Sequence, residues 1–367
     1  MPRAGGEVIT LGVETSCDET AVGLVERGCT ILGHSLMSSV AFHQKYGGVV
    51  PEIACRHHVE LILYCLEDAL RQAGVSLNDV GLVAVTYGPG LAGALLVGLA
   101  AAKSISFGLG IPLVGVNHLH AHLYAAMLGN TGRPPSGWPF APGDARRPPS
   151  GWPARAVGLV ISGGHTALVR LEGFASYRLM GQTLDDAVGE AFDKVAKLLG
   201  LGYPGGPAIE QAAKTGNRSR FTFTSPRIKR GSPWDFSFSG IKTAVLRFVT
   251  QASGGGEGSL ADPQYVADMA ASFQASVIEE LTQKALAACH VTKAKTLIVG
   301  GGVIANQALR ECLMEACRTA RVRLLLPPVA LSTDNGVMVA GLGYQLHRVC
   351  GLSAPLTLTA EPNLGMR

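Results

Sequence analysis

The stretch VNHLHAHLYAAML, Val116 to Leu128, carries three histidines at alternate positions, His118, His120 and His122. Imidazole nitrogens are common ligands for Zn2+ and Fe2+. On a helix His118 and His122, four apart, share a face, whereas His120 points about 200° away from His118. Two of the three therefore suit one metal ion. Metalloproteases use the same spacing in H-E-x-x-H, but their chemistry needs a glutamate directly after the first histidine, and this chain has Leu119 there. A third ligand is offered by LSTDNGVMVAGLGY, Leu331 to Tyr344, where Asp334 opens the last helical pattern. Two histidines and one carboxylate leave coordination positions open for a substrate. The plainer alternatives are a packed histidine pair and, for Asp334, a helix cap.

Several other stretches place small or polar groups where an anion would sit. GVETSCDET puts Glu14, Thr15, Ser16, Asp18 and Glu19 at the tip of a strand hairpin, where hydroxyls and free N–H groups can cradle a phosphate and the acids can order water or metal. YGPGLAGALLVGLA, Tyr87 to Ala100, reads as strand, Gly-Pro-Gly turn and a helix start without bulk, which favours an anion close to the backbone. In VISGGHTAL, Val160 to Leu168, a strand ends in Ser162, Gly163 and Gly164, followed by the donors of His165 and Thr166. VGGGVIANQALR repeats that logic and ends on Asn306, which suits either a helix cap or the hydroxyls of a ribose. Asp193 lies in an amphipathic helical pattern, thirteen residues before Gly206 of a YPGGP turn, a place where backbone can approach a ligand closely. RSRFTFTSPRIKRG mixes Arg218, Arg220, Arg227, Lys229 and Arg230 with Phe221 and Phe223. That pattern fits stacking on unpaired bases or a surface strand with its apolar face inward.

The elements that must carry these residues come in two similar series. Val8 to Glu26 and Ala156 to Glu172 each read as an apolar strand, a polar turn and a second strand that opens on Thr-Ala and closes on Glu. This is a weak internal repeat. Helical and strand patterns then alternate in both halves: a helix over 54–72, the strand VGLVAVTYG, a helix from Leu91, the strand IPLVGV and a helix from His118. In the second half the helices fall near 185–199 and 263–288, then the strand KTLIVGGG, a helix from Ala305, the strand RVRLLLPP and a last helix over 333–349. The order predicts two α/β lobes, each a mixed sheet with helices on its faces. The expected divisions are residues 1–129, an inserted linker over 130–155, a second lobe over 156–332, the helix 333–349 packing back on the first lobe, and a tail over 350–367. The linker contains RPPSGWP twice, at 133–139 and 147–153, and its Pro and Gly content cannot continue a sheet.

At 367 residues with 47% hydrophobic and 16% charged residues, the chain has the balance of a well-buried two-lobed protein. The formal charge of +4 permits an anionic partner without making a nucleic-acid coat. Eight cysteines without a C-x-x-C spacing read as reduced structural thiols. The apolar runs are interrupted by Lys103, serines and glycines, and none reads as a membrane span or a signal peptide. A cytoplasmic protein is expected.

Taken together and in order, GVETSCDET, GGVVPEIACRHH, GPGLAGALLVG, VNHLHAHL, SGGHT, GEAFDK, YPGGP, FSFSGIKT, GGVIAN and STDNGVM resemble the universal family of tRNA N6-adenosine threonylcarbamoyltransferases, in its bacterial TsaD branch, formerly labelled O-sialoglycoprotein endopeptidase. The resemblance runs from about Val8 to Leu346 and is interrupted by the duplicated RPPSGWP, which is foreign to the family pattern. It implies a two-lobed α/β fold of the actin/Hsp70/sugar-kinase (ASKHA) type with the substrate nucleotide in the cleft between the lobes. It also implies one divalent metal, Fe2+ or Zn2+, on His118, His122 and Asp334. The positions matching the family's acyl-adenylate site are Ser162, Gly163, Gly164, His165, Thr166, Asp193, Gly206 and Asn306. The implied reaction transfers a threonylcarbamoyl group from threonylcarbamoyl-AMP to N6 of adenosine 37 in tRNAs that read codons beginning with A. The implied partners are tRNA, a smaller TsaB-like paralogue and a TsaE-like ATPase, with no membrane. No residue stands out as general base; Asp18, Glu19 and His165 are the candidates. An ATPase or kinase of the same superfold and a non-catalytic nucleotide-binding scaffold are the competing readings.

Overall fold

In the computed structural model, residues 8–128, 153, 155–223, 231–253 and 259–366 are described. The duplicated RPPSGWP, together with Arg227, Lys229 and Arg230, lies outside them apart from Pro153. The chain divides into two compact units, Met1–Pro153 with Leu171–Tyr177 and Leu325–Arg367, and Ala154–Arg170 with Arg178–Leu324.

The first unit is built on Ile9–Glu14 (β1), Glu19–Glu26 (β2), Thr30–Ser38 (β3), Val80–Gly88 (β4) and Leu113–Asn117 (β5), in the order β3-β2-β1-β4-β5. β1 pairs antiparallel with β2 and parallel with β4, and β4 pairs parallel with β5. Alternate residues of these strands feed two cores, because successive side chains of a strand point to opposite faces. Leu11, Val13, Val83 and Val85 pack with Ile62, Cys65, Ala69, Leu99 and Ala102, from the helices Pro51–Ala73 (α2) and Ala92–Leu109 (α3). A short helix, Val40–His43 (α1), precedes them. On the opposite face Leu82, Ala84 and Val116 pack with Ala121, Tyr124, Val337, Met338 and Ala340, from His118–Leu128 (α4) and, at the far end of the chain, Gly336–Arg348 (α10). With both faces covered, β1 is buried along its whole length, which explains its unbroken apolar run. α3 is long and apolar enough to cross a membrane; here Ala94, Leu95, Leu99 and Ala102 are buried within the unit.

Glycine sets how closely α10 lies on this sheet. A Cβ on Gly12 would stand 2.2 Å from Gly336 O and 2.3 Å from Ala340 N, and one on Gly23 would stand 2.4 Å from Val337 N. The tail then closes the far side. Ala354 N–H donates to Leu113 O at 2.7 Å, Glu361 N–H to Tyr87 O at 2.8 Å, and Gly90 N–H to Pro362 O at 3.1 Å. Finally the Asn117 amide donates to Gly365 O at 3.3 Å.

One half-buried group in β3 makes this unit acid-sensitive. Burial pushes the pKa of His34 down to about 4, whereas an unfolded histidine titrates near ~6.5. Between those values the unfolded chain binds a proton that the folded chain does not, so stability falls as pH drops from ~6.5 towards about 4. Urea midpoints at pH 7 and pH 5 should differ, and His34→Gln should shrink the difference.

The second sheet comprises Ala156–Ile161 (β6), Thr166–Gly173 (β7), Ser176–Gln182 (β8), Thr296–Gly300 (β9) and Arg323–Leu325 (β10), in the order β10-β9-β6-β7-β8. Counted within its own half, this is the order of the first sheet, and β6 pairs parallel with β9 as β1 does with β4. The weak repeat of the sequence is thus a repeat of topology. The helices are Val188–Leu198 (α5), Gly205–Ala213 (α6), Ser239–Ser253 (α7), Pro263–Thr292 (α8) and Gln307–Ala320 (α9). α6 and α7 are not among the elements expected from the sequence. α6 starts inside the YPGGP turn, whose glycines and prolines hide a helix start.

Two adjacent acids organise α7. Asp185 accepts from the Ser237 and Ser239 hydroxyls, both at 2.6 Å, and from Phe238 N–H at 2.9 Å. Asp186 accepts from Lys194 and Lys242, both at 2.6 Å. These bonds explain why FSFSGIKT and DDAVGEAFDK occur together. Asp185→Ala should lower stability by about 1–2 kcal/mol, the loss of charge-assisted bonds at an accessible carboxylate, measurable by urea unfolding.

The basic and aromatic stretch before α7 is a series of turns, not a strand, in its described part. Its rings face inward: Phe221 packs against Phe248 and Tyr265, and Phe223 is buried. Arg220 is committed to Asp268 at 2.7 Å. All eight cysteines are free thiols.

Candidate metal centre and substrate loops

α4 starts directly at the end of β5, and Asn117 makes that junction. Its side-chain oxygen accepts from Leu119 N–H at 3.0 Å and His120 N–H at 3.2 Å, which satisfies donors that a helix start leaves open. The helix is buried on all sides, so its histidines have no solvent to turn to. Tyr124 fastens it to α10. The Tyr124 hydroxyl donates to Gly28 O at 2.8 Å and accepts from Gln345 Nε2 at 3.0 Å, while a Cβ on Gly341 would stand 2.5 Å from the Tyr124 ring.

At the start of α10 the helix cap is Asn335, whose Oδ1 accepts from Met338 N–H at 2.8 Å. Asp334 is therefore not the cap. Its Oδ1 lies 3.1 Å from His122 Nε2 and 3.5 Å from His118 Nε2, and the two Nε2 atoms are 3.2 Å apart. Three donors on a tetrahedral ion with bonds of about 2.0–2.2 Å stand about 3.3–3.6 Å apart, and on one octahedral face about 2.8–3.1 Å. The observed triangle fits a three-ligand ion with one side open. His118, His122 and Asp334 form the group of metal-ligating side chains brought together among the described residues. His120 is not part of it. Its ring packs edge-on against Tyr177 at 4.8 Å, and burial keeps it neutral, with a pKa pushed down to about 3.

Electrostatics favour a cation at this point. Burial opposes a charge on His118, but the carboxylates of Glu14 and Asp334 outweigh it and raise its pKa to about 9. Burial also opposes ionisation of Glu14, yet the His118 charge and hydrogen bond hold it below the ordinary carboxylate range. Glu19 is different: burial, then the charges of Asp334 and Asp18, push it well above that range. The chain thus concentrates carboxylates around a point where one positive charge is required, whether that charge is a proton or a metal ion.

The tip that holds Asp18 and Glu19 is pinned from outside. His58 Nδ1 accepts from the Thr20 hydroxyl at 2.8 Å and its Nε2 faces Cys17 O at 3.0 Å. The Ser39 hydroxyl donates to Asp18 O at 2.8 Å. His58 belongs to GGVVPEIACRHH, which accounts for that motif structurally.

The expected substrate residues all lie in the second unit and are linked within it. Ser162 to Thr166 form a tight turn in which Ser162 N–H donates to His165 O at 2.8 Å and His165 N–H to Ser162 Oγ at 3.2 Å. Gly163 and Gly164 are exposed, and a Cβ on either would meet nothing within 4 Å. The Thr166 hydroxyl accepts from Val188 N–H at 2.9 Å, and Gly189 packs directly on Gly163, so the turn and the start of α5 are joined. Asp193 accepts from Gly205 N–H at 2.7 Å; it is a bonded residue, not a solvated one, and it aims the start of α6 with the open Gly206. Asn306 caps α9 through Leu309 N–H at 2.9 Å and donates to Gln274 at 2.7 Å. α9 is tied to α6 by Gln307 N–H and Glu210 at 2.7 Å.

The family described as TsaD, tRNA N6-adenosine threonylcarbamoyltransferase, matches residues 30–147 and 144–341. A tRNA N6-adenosine threonylcarbamoyltransferase of Desulfitobacterium hafniense is 45% identical over 366 residues, covering 100% of both chains. That of Symbiobacterium thermophilum is 47% identical over 360 residues, covering 98% of this chain and 97% of its own. Among solved structures, full-length HypF in its phosphate- and nucleotide-bound form superposes with a TM-score of 0.58 at 13% identity, over 95% of this chain and 47% of HypF. That likeness concerns the fold, which is of the ASKHA type. The relatives are transferases that act on tRNA, which decides against the scaffold and kinase readings. The chain belongs to the tRNA N6-adenosine threonylcarbamoyltransferase family.

Proposed function

We propose that this transferase moves the threonylcarbamoyl group of threonylcarbamoyl-AMP onto N6 of adenosine 37 in tRNAs reading codons that begin with A, with one divalent metal on His118, His122 and Asp334. The observation that carries the reading is the 3.1–3.5 Å triangle of donor atoms in a chain of this family. In the reaction a bond forms between N6 and the carbamoyl carbon, the bond from that carbon to the phosphate oxygen breaks, AMP leaves, and N6 loses a proton.

An adenine amino group is a weak nucleophile, so the carbonyl needs polarising and the leaving phosphate needs stabilising. An Fe2+ or Zn2+ ion held by the three side chains supplies Lewis-acid polarisation. The turn from Ser162 to Thr166 offers phosphate the backbone of its exposed Gly163 and Gly164, and Gly206 lets backbone approach the ribose. Asp193 holds that turn in place, while Asn306, already a cap, offers its remaining amide capacity to the nucleoside. The proton of N6 goes to one of Asp18, Glu19 and His165.

Transfer to an amine needs no activated water, which is consistent with Leu119 standing where a metalloprotease has glutamate. A TsaB-like paralogue and a TsaE-like ATPase are the proposed partners, in the cytoplasm. Val59, Leu63, Tyr64 and Leu96 are exposed on α2 and α3.

The test is a transfer assay with the purified chain, both partners, threonylcarbamoyl-AMP and unmodified tRNA, read by nucleoside mass analysis before and after chelation. Threonylcarbamoyl adenosine that disappears on chelation and returns with Fe2+ or Zn2+ supports the reading. Undiminished product from demetallated protein would reject the metal, and absence of product with competent partners would reject the donor.

A further inference from the structure

We infer that Glu14 is the positioning residue of the metal centre: by accepting the Nδ1–H of His118 it fixes the tautomer that turns the Nε2 lone pair towards His122 and Asp334. The inference rests on the metal reading proposed above and extends it to a residue outside the ligand set.

Glu14 is fully buried, and both of its oxygens are engaged. Oε1 accepts from Ser16 N–H at 2.7 Å. Oε2 accepts from the Thr86 hydroxyl at 2.6 Å and faces His118 Nδ1 at 3.0 Å. The other ring nitrogen, Nε2, is the one that meets His122 and Asp334. Neutral imidazole carries a single N–H, and it ligates only through the nitrogen that lacks it. Both carboxylate oxygens already serve as acceptors, for Ser16 N–H and for the Thr86 hydroxyl, so the contact with Nδ1 is met by an Nδ1–H donor, which leaves Nε2 free to bind. Ser16 Oγ also approaches Nδ1, at 3.2 Å, but a hydroxyl both donates and accepts and therefore selects no tautomer.

The sheet builds this contact. Glu14 ends β1, Thr86 lies near the end of β4, and His118 follows the end of β5. These neighbours run parallel, with Val13 opposite Val85 and Thr86 opposite Val116. Their C-terminal ends therefore collect on one edge, the usual ligand edge of parallel strands. The donors Ser16 N–H and Thr86 hydroxyl then fix the plane of the carboxylate.

Glu14→Gln keeps the volume and inverts the instruction. With its oxygen on Ser16 N–H, the amide NH2 donates to Nδ1 and places the ring proton on Nε2; the opposite flip sets NH2 against Ser16 N–H. Zinc affinity should fall about 10–100-fold in Glu14→Gln, with the loss read by competition against a chelator and the fold checked by urea unfolding. Ser16→Ala should leave zinc affinity unchanged. In the zinc-loaded native protein a 15N-edited spectrum should show a slowly exchanging Nδ1–H on His118, retained in Ser16→Ala.

Equal affinity in folded Glu14→Gln overturns the inference, as does loss of affinity in Ser16→Ala. If Glu14→Gln does not fold, the native spectrum decides, because a His118 Nδ1 without a proton in the zinc-loaded chain overturns it equally. Failure of the metal reading shows separately, as absence of zinc uptake by the native chain, and it removes the inference with it.

Discussion

The double variant His118→Ala/His122→Ala is expected to lose metal binding and at least about 10³-fold of transfer activity, since Lewis-acid stabilisation of several kcal/mol is removed at once. Either histidine alone leaves a two-donor site, which holds a divalent ion poorly. The double change has a second effect, because Glu14 and Asp334 then lose the histidines they face in the native chain. Asp334→Asn separates the two effects. It keeps shape and both histidines, lowers the negative charge of the centre, and replaces an anionic ligand by a weak neutral one. Metal content by elemental analysis, turnover by nucleoside mass analysis and unfolding by urea should be measured on all three proteins. A double variant that retains native turnover while metal-free would remove the metal from the mechanism.

A methyl group added to Gly12 should destabilise the first unit by about 3 kcal/mol or more, because the obstructing atoms are backbone and cannot turn away. The added carbon of Gly12→Ala would stand 2.2 Å from Gly336 O and 2.3 Å from Ala340 N. Relief requires α10 to lift from the sheet, and Asp334 lies only two residues before that helix begins. Zinc affinity should therefore fall in those molecules that still fold, although Gly12 touches no ligand. Gly108→Ala is the control. It lies in α3 with nothing within 4 Å of the added carbon, so it should be neutral or stabilising by up to about 1 kcal/mol, as expected for alanine replacing a helical glycine. Urea midpoints and chelator competition on both variants check the pair.

The two variants mark how far the chain could be read before its structure. His118 and His122 were legible because helix periodicity puts residues four apart on one face, whatever the helix packs against. Asp334 was nameable as a ligand, but sequence alone left it tied with a helix cap, and only Asn335 occupying that cap breaks the tie. Glu14 was visible as an acid at a hairpin tip, yet its bond to His118 depends on β4 lying between β1 and β5, and strand order leaves no local trace. The same holds for Gly12, whose spacing from Gly336 is purely tertiary. Asp193 was nameable as a substrate residue through the family motif, but no local signal shows that Gly205 N–H reaches it. β10 covers three residues of the expected eight. Pro327 and Pro328 lack the N–H that a ladder needs, so the apolar run there outlasts the strand.

The tail contacts and the helix α10 set an order of events during synthesis. The first unit consists of early and late segments of the chain, with the second unit's residues made in between. Its sheet strands leave the ribosome long before Asp334, before the helix that seals Gly12 and Gly23, and before the residues that bind Tyr87, Gly90 and Asn117. Until those arrive, His118 and His122 have neither their carboxylate partner nor the covering helix. The second unit, nearly continuous in sequence, has no such dependence and is free to fold first. The three proposed ligands are therefore together only in the finished chain, not in the nascent one.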